Sequence, residues 1–292
     1  MKRLWYHPFF SVCSLTCSPF SSKTIGITVV SAWNIQQQSR GFTPFCTTAM
    51  KLHASETNSC DKDFLAGLPQ PLILGSGSFT RKLILSEMGI DFTVIKRPID
   101  EQEIGDRDND KPEELVLKLA KAKMKHLVQE LSSGRCDEEI RNSSIISENK
   151  LPSYVVLTGD QVVTHCGNIL EKPRSLEEAK DFVSRYATSP PSTVGSCVIE
   201  HIPSGLQVSG VDTATIFFHT SIGSVDVNGK DLVDRLHEVG APVLDCAGGL
   251  MIEHEFVQPY IQRIDGTQDS VMGLSKELVE KLLNELRTKL TE

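Results

Sequence analysis

Residues 71–96 restrict the fold more than any other part of the chain, because they combine a short apolar run, a glycine–serine turn, a helical pattern and an alternating segment. The apolar run, 71–74, has the length of a buried strand, and residues 75–78 can turn tightly because two of them are glycine. Gly89 is placed to end the helix, and residues 91–96 then alternate like a half-buried strand. This order of strand, helix and strand predicts an α/β fold with helices packed on a sheet.

A second helix is predicted from Pro112, with Asp110 as its N-cap. Its apolar positions recur every four residues from Leu115 to Leu127, and Lys123 occupies the missing place in that row. A lysine in an apolar row either extends its ammonium group to the surface or points it at an anion inside a cleft. Helical periodicity alone favours the first orientation, in which the Lys123 ammonium group extends to the surface.

The rest of the chain continues the α/β pattern. Residues 132–153 are polar and indicate a mobile surface loop. The later elements are predicted as a strand from 154 that ends at 158–160, a helix from the Ser175–Glu178 capping box to about Tyr186, strands near 193–200 and 206–218, a helix near 229–238, extended segments at 247–252 and 260–264, and a helix over 276–288 capped by Ser275. Together they predict a single domain over residues 68–292, with a mixed, twisted sheet flanked by helices and a cleft.

Residues 1–60 have the composition of a targeting leader. Residues 1–55 contain five cations and no acid, so removing five positive charges from the total of −8 leaves −13 for the remainder. The stretch is also rich in serine and phenylalanine, which predicts an organellar transit peptide for a mitochondrion or a plastid. The alternatives are a disordered tail, or a start site placed too far upstream with the folded protein beginning near Met50. The cytoplasm is expected if the leader is not functional.

Charge and composition exclude some partners. A net charge of −8 offers no broad basic surface, so nucleic acid is not an expected partner and a small phosphate ligand fits better. No run approaches the roughly 18 apolar residues of a membrane helix, so no membrane is expected either. The cysteines show no CxxC pair with matching histidine spacing, which argues against zinc. Cys246 beside Asp245 resembles a nucleophile, but no histidine is placed by sequence to activate it.

The turn at residues 75–78 has the composition of a phosphate site. Its backbone N–H groups and the following helix dipole favour an anion, and Ser76 and Ser78 add hydroxyl groups. Arg81 and Lys82 bring positive charge to the first helical turn, where each cation costs the helix roughly 0.3–1 kcal/mol. Two cations there indicate an anionic ligand. The alternative is that they are ordinary surface cations.

A dinucleotide-binding oxidoreductase is a weaker alternative. Gly75 and Gly77 nearly match the dinucleotide fingerprint, and Asp100 lies about 20 residues further on. Thr80 stands in place of the third glycine, however, and would crowd the helix against the strand. Asp100 also follows Pro98 rather than the end of the second strand.

Asp160 is the candidate catalytic carboxylate. It follows an apolar run and a Thr-Gly pair, so it is expected at the carboxyl end of a strand, where open α/β sheets bind their ligands. A carboxylate there can hold a divalent metal ion and take a proton from water, and hydrolysis of a phosphoanhydride needs both. An aspartate after glycine is also a common turn former. The residues alone therefore indicate a phosphate-binding α/β hydrolase.

Seven segments, in order and at similar spacing, resemble the motifs of the Maf-like nucleotide pyrophosphatases. They are residues 72–78 with Arg81, Ile99-Asp100-Glu101, Leu119-Ala120 with Lys123, residues 159–163, residues 170–173, residues 245–248 and residues 271–274. The resemblance covers about residues 71–288. Seven ordered motifs are far more specific than any one of them.

The resemblance implies two lobes around a nucleotide cleft, similar to the inosine triphosphate pyrophosphatases. It implies that a nucleoside triphosphate is cut to monophosphate and pyrophosphate with Mg²⁺ or Mn²⁺. By position, Asp160 is the general base and a metal ligand, and Glu101 assists the metal or the water. The residues expected to bind the triphosphate are Ser76, Ser78, Arg81, Lys123 and Lys172. Lys123 is therefore expected to point into the cleft after all, and a homodimer is the expected assembly.

Some positions depart from the family pattern. Phe79-Thr80-Arg81 stands where Pro-Arg-Arg is usual, so one cation is missing, and Lys82 is a candidate to replace it. Gly273-Leu274-Ser275 stands where Gly-Leu-Pro is usual. These departures keep open a second hypothesis, a nucleotide-binding regulatory protein with weakened catalysis.

Three residues bear on the choice of nucleotide. Gln161, Cys246 and Glu253 resemble the family branch that acts on 7-methyl-GTP rather than the branch that prefers dTTP and UTP. The Glu253 carboxylate can pair with the positively charged, methylated guanine, which gives the resemblance a physical basis. The alternative is that Glu253 is a solvated surface residue.

Overall fold

The structure is a computed structural model that describes residues 63–107, 109–142 and 153–292. The leader predicted at residues 1–60 lies outside the described residues, as do residues 143–152 of the loop predicted at 132–153. Among the helices of the described ranges, none combines the length and the hydropathy of a membrane span.

Within the described residues, seven strands form one mixed sheet in the order β2-β1-β3-β5-β6-β7, with β4 paired to the last residues of β3. They are β1 (Leu72–Leu74), β2 (Phe92–Val94), β3 (Tyr154–His165), β4 (Asn168–Leu170), β5 (Ser192–Ile202), β6 (Leu206–Phe218) and β7 (Ile261–Asp265). Strand β1 is parallel to both β2 and β3, whereas the other pairs are antiparallel. The predicted mixed α/β sheet is confirmed.

Helices flank the sheet. In the described ranges they are α1 (Phe79–Glu87), α2 (Pro112–Ser132), α3 (Asp137–Asn142), α4 (Leu176–Arg185), α5 (Leu232–Glu238), α6 (Gln268–Met272) and α7 (Lys276–Thr291). Ser78, Ser175 and Ser275 cap α1, α4 and α7 by accepting a hydrogen bond from the backbone N–H three residues later. The caps predicted at Ser175 and Ser275 are confirmed.

The predicted N-cap at Asp110 is wrong. The N-cap of α2 is Lys111, which makes no side-chain capping bond. Pro112 is the first residue of the helix and has no N–H to cap. The Asp110 carboxylate instead accepts hydrogen bonds from the Asp106 N–H at 2.9 Å and from Lys118 Nζ at 2.6 Å.

Two other segments differ from their predictions. The short helix α3 lies where the loop from residue 132 was predicted. The segment predicted as extended at 247–252 begins with a 3₁₀ turn, Ala247–Gly249, in which Gly248 and Gly249 have φ values of 72° and 74°. These left-handed conformations favour glycine and interrupt a strand.

Alternation along β1 divides the core into two faces. Leu72 and Leu74 pack with α1 and α7, whereas Ile73 packs with α2. The apolar row of α2 from Leu115 to Leu127 is buried as predicted. Each fully buried leucine contributes about 1.5–3 kcal/mol, so β1 is held firmly from both sides. The turn that follows β1 therefore starts from a fixed position.

Strand β3 extends beyond the end of β1, and this extension determines where Asp160 lies. Strand β1 pairs with β3 only as far as Leu74 opposite Leu157, whereas β5 pairs with β3 along its length. Asp160 is therefore inside a strand and not at the carboxyl end of one, because pairing with β5 continues the strand past residues 158–160. It nevertheless lies just past the carboxyl end of β1, beside the turn.

Candidate active site

The turn at residues 75–78 is packed tightly against the sheet. A Cβ on Gly75 would lie 2.7 Å from Cγ2 of Thr158 on β3. Within the turn, Ser76 Oγ accepts a hydrogen bond from the Ser78 N–H at 3.2 Å. Glycine and serine therefore hold the turn in one conformation at the N-terminus of α1, where backbone N–H groups favour an anion.

Arg81 is buried behind this turn, with 7% of its surface exposed. Its Nη1 donates to Ser76 Oγ at 3.2 Å and to the Gly159 carbonyl at 3.0 Å, and its Nε donates to the Gly273 carbonyl at 3.0 Å. Burial lowers the pKa of the guanidinium, and the nearby Asp160 carboxylate opposes that shift. Arg81 thus connects the turn, β3 and the segment before α7.

Lys123 lies between the two candidate acids. Its Nζ is 2.5 Å from Asp160 Oδ1 and 3.0 Å from Glu101 Oε1. Asp100, the residue before Glu101, caps the 3₁₀ turn Glu101–Glu103 by accepting from the Gln102 N–H at 3.1 Å. The ammonium group of Lys123 is therefore inside the site, as the family resemblance implied, and not extended to the surface. Asp100 is occupied in capping and does not end β2, which removes the basis of the dinucleotide hypothesis.

Asp160 has an unusual environment for a carboxylate. Its side chain is only 12% exposed, and burial is the largest effect on its pKa, which lies above the ordinary value. Lys123 and Arg81 stabilise the ionised form and limit the rise, whereas Glu101 adds to it. The carboxyl group is therefore more basic than a surface aspartate, and it has a cation at hydrogen-bond distance.

Two buried hydroxyl groups position α2 over Asp160. Ser196 Oγ on β5 donates to the Val116 carbonyl at 2.8 Å and accepts from the Asp160 N–H at 3.3 Å. Thr158 Oγ1 donates to the Ala120 carbonyl at 2.9 Å. Ser196 was not predicted from the sequence, because a serine inside an apolar strand shows its role only when the facing helix is known.

Gln161 packs against Gly273 on the other face of β3. A Cβ at residue 273 would lie 1.4 Å from Gln161 Oε1, and the φ of Gly273 is 103°. Arg81 bonds to the carbonyl group of Gly273, so Gln161 and the buried guanidinium both contact this glycine. Gln161 is therefore brought to the same site as the turn.

Lys172, Cys246 and Glu253 form a second group. Burial and the nearby Glu253 and Asp245 carboxylates raise the pKa of the Cys246 thiol to about 12, and Lys172 opposes the shift. Burial also raises the pKa of Glu253, so Glu253 is not the fully solvated residue of the alternative interpretation. Lys172 is exposed and forms no ion pair with any described residue. A thiol with so high a pKa is a poor nucleophile, in agreement with the sequence analysis.

The structure brings most of the predicted residues together. Ser76, Ser78, Arg81, Gln161, Asp160, Lys123 and Glu101 form one connected set, and Lys172 and Glu253 belong to the second group around Cys246. Lys96, whose side chain lies over Gly77 of the turn, was not predicted from the sequence. Its position two residues after β2, the parallel neighbour of β1, was the available signal.

Asp160 and Glu101, the acid pair, fit a divalent metal ion only if a bound ligand supplies further oxygen atoms. In the described ranges, no three His, Cys, Asp or Glu side chains come together as a metal site. Asp160 and Glu101 do converge on one cation, the Lys123 ammonium group, so the two carboxylates are directed at one common position. Mg²⁺ commonly takes one or two carboxylates and completes its shell with water and substrate phosphates. The two carboxylates match that preference.

The fold and the site define an α/β protein in which an acid pair bridged by a lysine adjoins a phosphate-type turn held by a buried arginine. The chain belongs to the Maf-like protein family, which matches residues 71–286. The resemblance found in its sequence motifs is thereby confirmed.

Named relatives match stretches of similar length. The chain is 31% identical over 217 residues to the 7-methyl-GTP pyrophosphatase of Dictyostelium discoideum, covering 74% of this chain and 98% of that protein. It is 29% identical to the nucleoside triphosphate pyrophosphatase of Chlamydia pneumoniae, with 74% and 94% coverage. It is 25% identical to the dTTP/UTP pyrophosphatase of Salinibacter ruber, with 72% and 88% coverage.

Proposed function

We propose that this chain hydrolyses a nucleoside triphosphate between its α and β phosphates and releases the monophosphate and pyrophosphate. The observation that carries the proposal is the buried Asp160 carboxylate, 2.5 Å from Lys123 Nζ and next in sequence to the Gly159 carbonyl that Arg81 binds. A proton acceptor, a cation and a phosphate-type turn are thus contiguous. The three relatives named above are all nucleotide pyrophosphatases, which supports the same chemistry here.

Asp160 and Glu101 are the residues that would hold Mg²⁺ or Mn²⁺. A metal ion bound there would neutralise phosphate oxygens and make bound water more acidic. We assign to Asp160 the role of accepting a proton from the attacking water, because its raised pKa makes it a stronger base than an ordinary aspartate. Glu101, whose side chain is 49% exposed, is free enough to orient water or metal.

Cations around the acid pair would bind the triphosphate. Lys123 is already inside the site, and Arg81 uses Nε and Nη1 for protein carbonyls and Ser76, which leaves Nη2 for a phosphate oxygen. Lys172, in the second group, is exposed and has no ion pair among the described residues, so its charge is available to the triphosphate. Cations in these positions would stabilise negative charge that moves onto the pyrophosphate leaving group.

We further propose 7-methyl-GTP as the preferred nucleotide. The relative from Dictyostelium discoideum bears that name. Of the residues that resemble its branch, Gln161 packs against Gly273 at the site, whereas Cys246 and Glu253 belong to the second group. The Glu253 carboxylate is largely buried beside Cys246, where water screens a charge poorly. A positively charged methylguanine would therefore gain more from Glu253 than neutral guanine does.

A panel of nucleoside triphosphates that includes 7-methyl-GTP, GTP, dTTP and UTP tests both proposals. The expected products with Mg²⁺ or Mn²⁺ are monophosphate and pyrophosphate, with the highest kcat/KM for 7-methyl-GTP, and chelation of the metal should stop turnover. Orthophosphate as the sole product would refute pyrophosphatase chemistry. Equal kcat/KM for 7-methyl-GTP and GTP would refute the base assignment alone.

The hypothesis of weakened catalysis rested on Thr80 and Ser275, and both have structural roles. Thr80 Oγ1 is 2.9 Å from Ser78 Oγ, and Ser275 caps α7 in the place where the family has proline. Neither substitution removes a member of the acid pair. Metal-dependent pyrophosphate release would eliminate the binding-only alternative, which predicts nucleotide binding without product.

Two proposals concern the whole protein. We infer a homodimer from the family resemblance, and light scattering coupled to size exclusion should give twice the mass of the chain. We infer organellar targeting from residues 1–60, so a fusion of these residues to a fluorescent reporter should enter an organelle. A monomeric mass or a diffuse cytosolic signal would reject the respective proposal.

A further inference from the structure

Lys96, the second residue after β2, brings a cation to the turn at residues 75–78. A Cβ on Gly77 would lie 3.2 Å from Lys96 Cδ and 3.6 Å from Lys96 Nζ. The lysine side chain therefore crosses the turn at a residue that has no side chain, and its ammonium group lies beside the turn while the residue stays exposed to solvent. None of the roles assigned above uses this cation.

The backbone that carries Lys96 is fixed. Ile95 is 1% exposed, and its N–H donates to the Leu74 carbonyl of β1 at 3.1 Å. Arg97, on the other side, forms salt bridges with two glutamates. Its Nη2 lies 2.6 Å from Glu139 Oε1, and its Nε lies 3.7 Å from Glu130 Oε2. Lys96 has no carboxylate partner among the described residues. A cation anchored at the turn and left without a counter-ion is available to an anionic ligand.

Strand order places Lys96 opposite the acid pair. Strand β1 lies between β3, which carries Asp160, and β2, which leads to Lys96. Adjacent strands are about 4.8 Å apart, so the two flanking strands are separated by about 10 Å with the turn between them. Lys123 approaches the turn from the β3 side and Lys96 from the β2 side. A polyphosphate lying over the turn would have a cation at each end.

We propose that Lys96 binds the distal phosphates of the substrate and supplies the cation that Thr80 does not. This inference rests on the proposed function, because it assigns Lys96 to the same site. Lys82 was the residue predicted from the sequence for this role. Lys96 is instead the lysine whose ammonium group lies against Gly77.

The first test compares Lys96→Met, which removes the charge and keeps most of the side chain, with Lys125→Met on the exposed outer side of α2. Loss of one charge-assisted contact should raise KM for the triphosphate roughly tenfold and change kcat less. The effect should shrink at high salt, because Lys96 is exposed. Lys125→Met should match the wild type. Equal KM values for the two variants would overturn the proposal.

The second test moves Lys96 without replacing it. Gly77 does not have a left-handed φ, so Gly77→Ala strains only the contact with the flexible Lys96 side chain. Gly77→Ala should raise KM in the wild type and add little in a Lys96→Met background, because both changes remove the same contact. Additive effects of the two substitutions would contradict the assignment.

A binding measurement separates this inference from the proposed function. Inorganic tripolyphosphate, titrated by calorimetry with Mg²⁺, should bind the wild type and Lys125→Met equally and bind Lys96→Met roughly tenfold more weakly. If no nucleotide is hydrolysed but this difference persists, the proposed function fails and the Lys96 site stands. If nucleotides are hydrolysed and the three proteins bind tripolyphosphate equally, or none binds it, the Lys96 site fails.

Discussion

The Nε of Arg81 donates a hydrogen bond to the carbonyl oxygen of Gly273 at 3.0 Å, and this contact joins α1 to the segment between α6 and α7. Nη1 of the same guanidinium binds Ser76 on the turn and the Gly159 carbonyl on β3. One buried side chain therefore serves three acceptors that belong to three distant parts of the sequence. Water cannot easily replace it, because Arg81 is 7% exposed.

Arg81→Met should destabilise the protein strongly. Ser76 Oγ keeps its bond from the Ser78 N–H, but the Gly159 and Gly273 carbonyl groups lose their bonds from Arg81. Unpaired buried polar groups cost about 1–3 kcal/mol each, so we expect a loss of roughly 3 kcal/mol in the free energy of unfolding. Lys82→Met, at the next residue, should change that free energy by less than about 0.5 kcal/mol. Urea denaturation measures both. A loss no larger for Arg81→Met than for Lys82→Met would show that Arg81 serves the ligand and not the fold.

Gly273→Ala should also perturb the site, through Gln161. The φ of 103° disfavours a side chain, and the new Cβ would overlap Gln161 Oε1. Gly229→Ala is the matched control, because Gly229 has a φ of 76° with nothing within 4 Å of the added Cβ. Backbone strain alone costs about 1–2 kcal/mol, which is what the control should lose in the free energy of unfolding.

Gly273→Ala should lose more than Gly229→Ala and should also lower kcat/KM. A Gln161→Ala/Gly273→Ala double variant should recover part of the difference in unfolding free energy, because the overlapping atoms are gone. If the double variant is as unstable as the sum of its single variants, the overlap with Gln161 is not the cause.

Local features of the sequence predicted the elements well, for a physical reason. Ser175 and Ser275 cap their helices with bonds that span three residues, and the row from Leu115 to Leu127 depends on helical periodicity alone. Local patterns suffice for such features. Asp110 does not cap α2, because the helix begins at Pro112, which has no backbone N–H to be capped. The Asp110 carboxylate binds the Lys118 ammonium group instead.

The geometry of the site depends on contacts that the sequence does not display. Periodicity could not show where the Lys123 ammonium group points, because its partner Asp160 lies 37 residues away. Only the family resemblance placed it in the cleft. The length of β3 was missed because the pairing with β5 that sustains it is non-local. Lys96 was missed because its contact with Gly77 requires β2 to lie beside β1.

Glu253→Gln should alter base preference and leave phosphate chemistry intact. Removing the carboxylate charge should lower kcat/KM for 7-methyl-GTP roughly tenfold, the size of one charge-assisted contact, with little change for GTP. Glu255→Gln, an exposed acid two residues later, should leave the ratio of the two values unchanged. Steady-state kinetics with both nucleotides measures this ratio. Parallel losses for both nucleotides would contradict a role in recognising the methylated base.

Cys246→Ser should keep most of the activity. The Cys246 thiol has a pKa of about 12, raised by burial and by neighbouring acids, so almost no thiolate is present at neutral pH. We expect kcat within about threefold of the wild type, since the change preserves size and leaves the acid pair intact. In peptide mapping after mild alkylation, the exposed Cys166 should react before Cys246. An inactive Cys246→Ser variant that is as stable as the wild type would restore the nucleophile hypothesis.

Asp160→Asn should separate activity from stability. Loss of the proton acceptor should lower kcat by about 10²–10⁴-fold, while nucleotide still binds. Because burial raises the pKa of Asp160 in the folded state above its unfolded value, the folded state holds more protons in the window between the two pKa values. The contribution of Asp160 to stability is therefore greatest below that window and decreases as the pH rises through it. Above the window the carboxylate is charged and poorly hydrated.

The variant lacks this proton, so its stability relative to the wild type should increase as the pH rises from about 4 and then level off above the folded-state pKa. Urea denaturation of both proteins from pH 4 to pH 8 measures the difference, and Asp181→Asn, an exposed acid on α4, provides the control. The pH dependence of kcat/KM for the wild type should rise through the same folded-state pKa. A variant that becomes less stable relative to the wild type with rising pH would mean that attraction to Lys123 and Arg81 outweighs burial. Asp160 would then have a depressed pKa and be a weak base, and the proton acceptor would have to be Glu101.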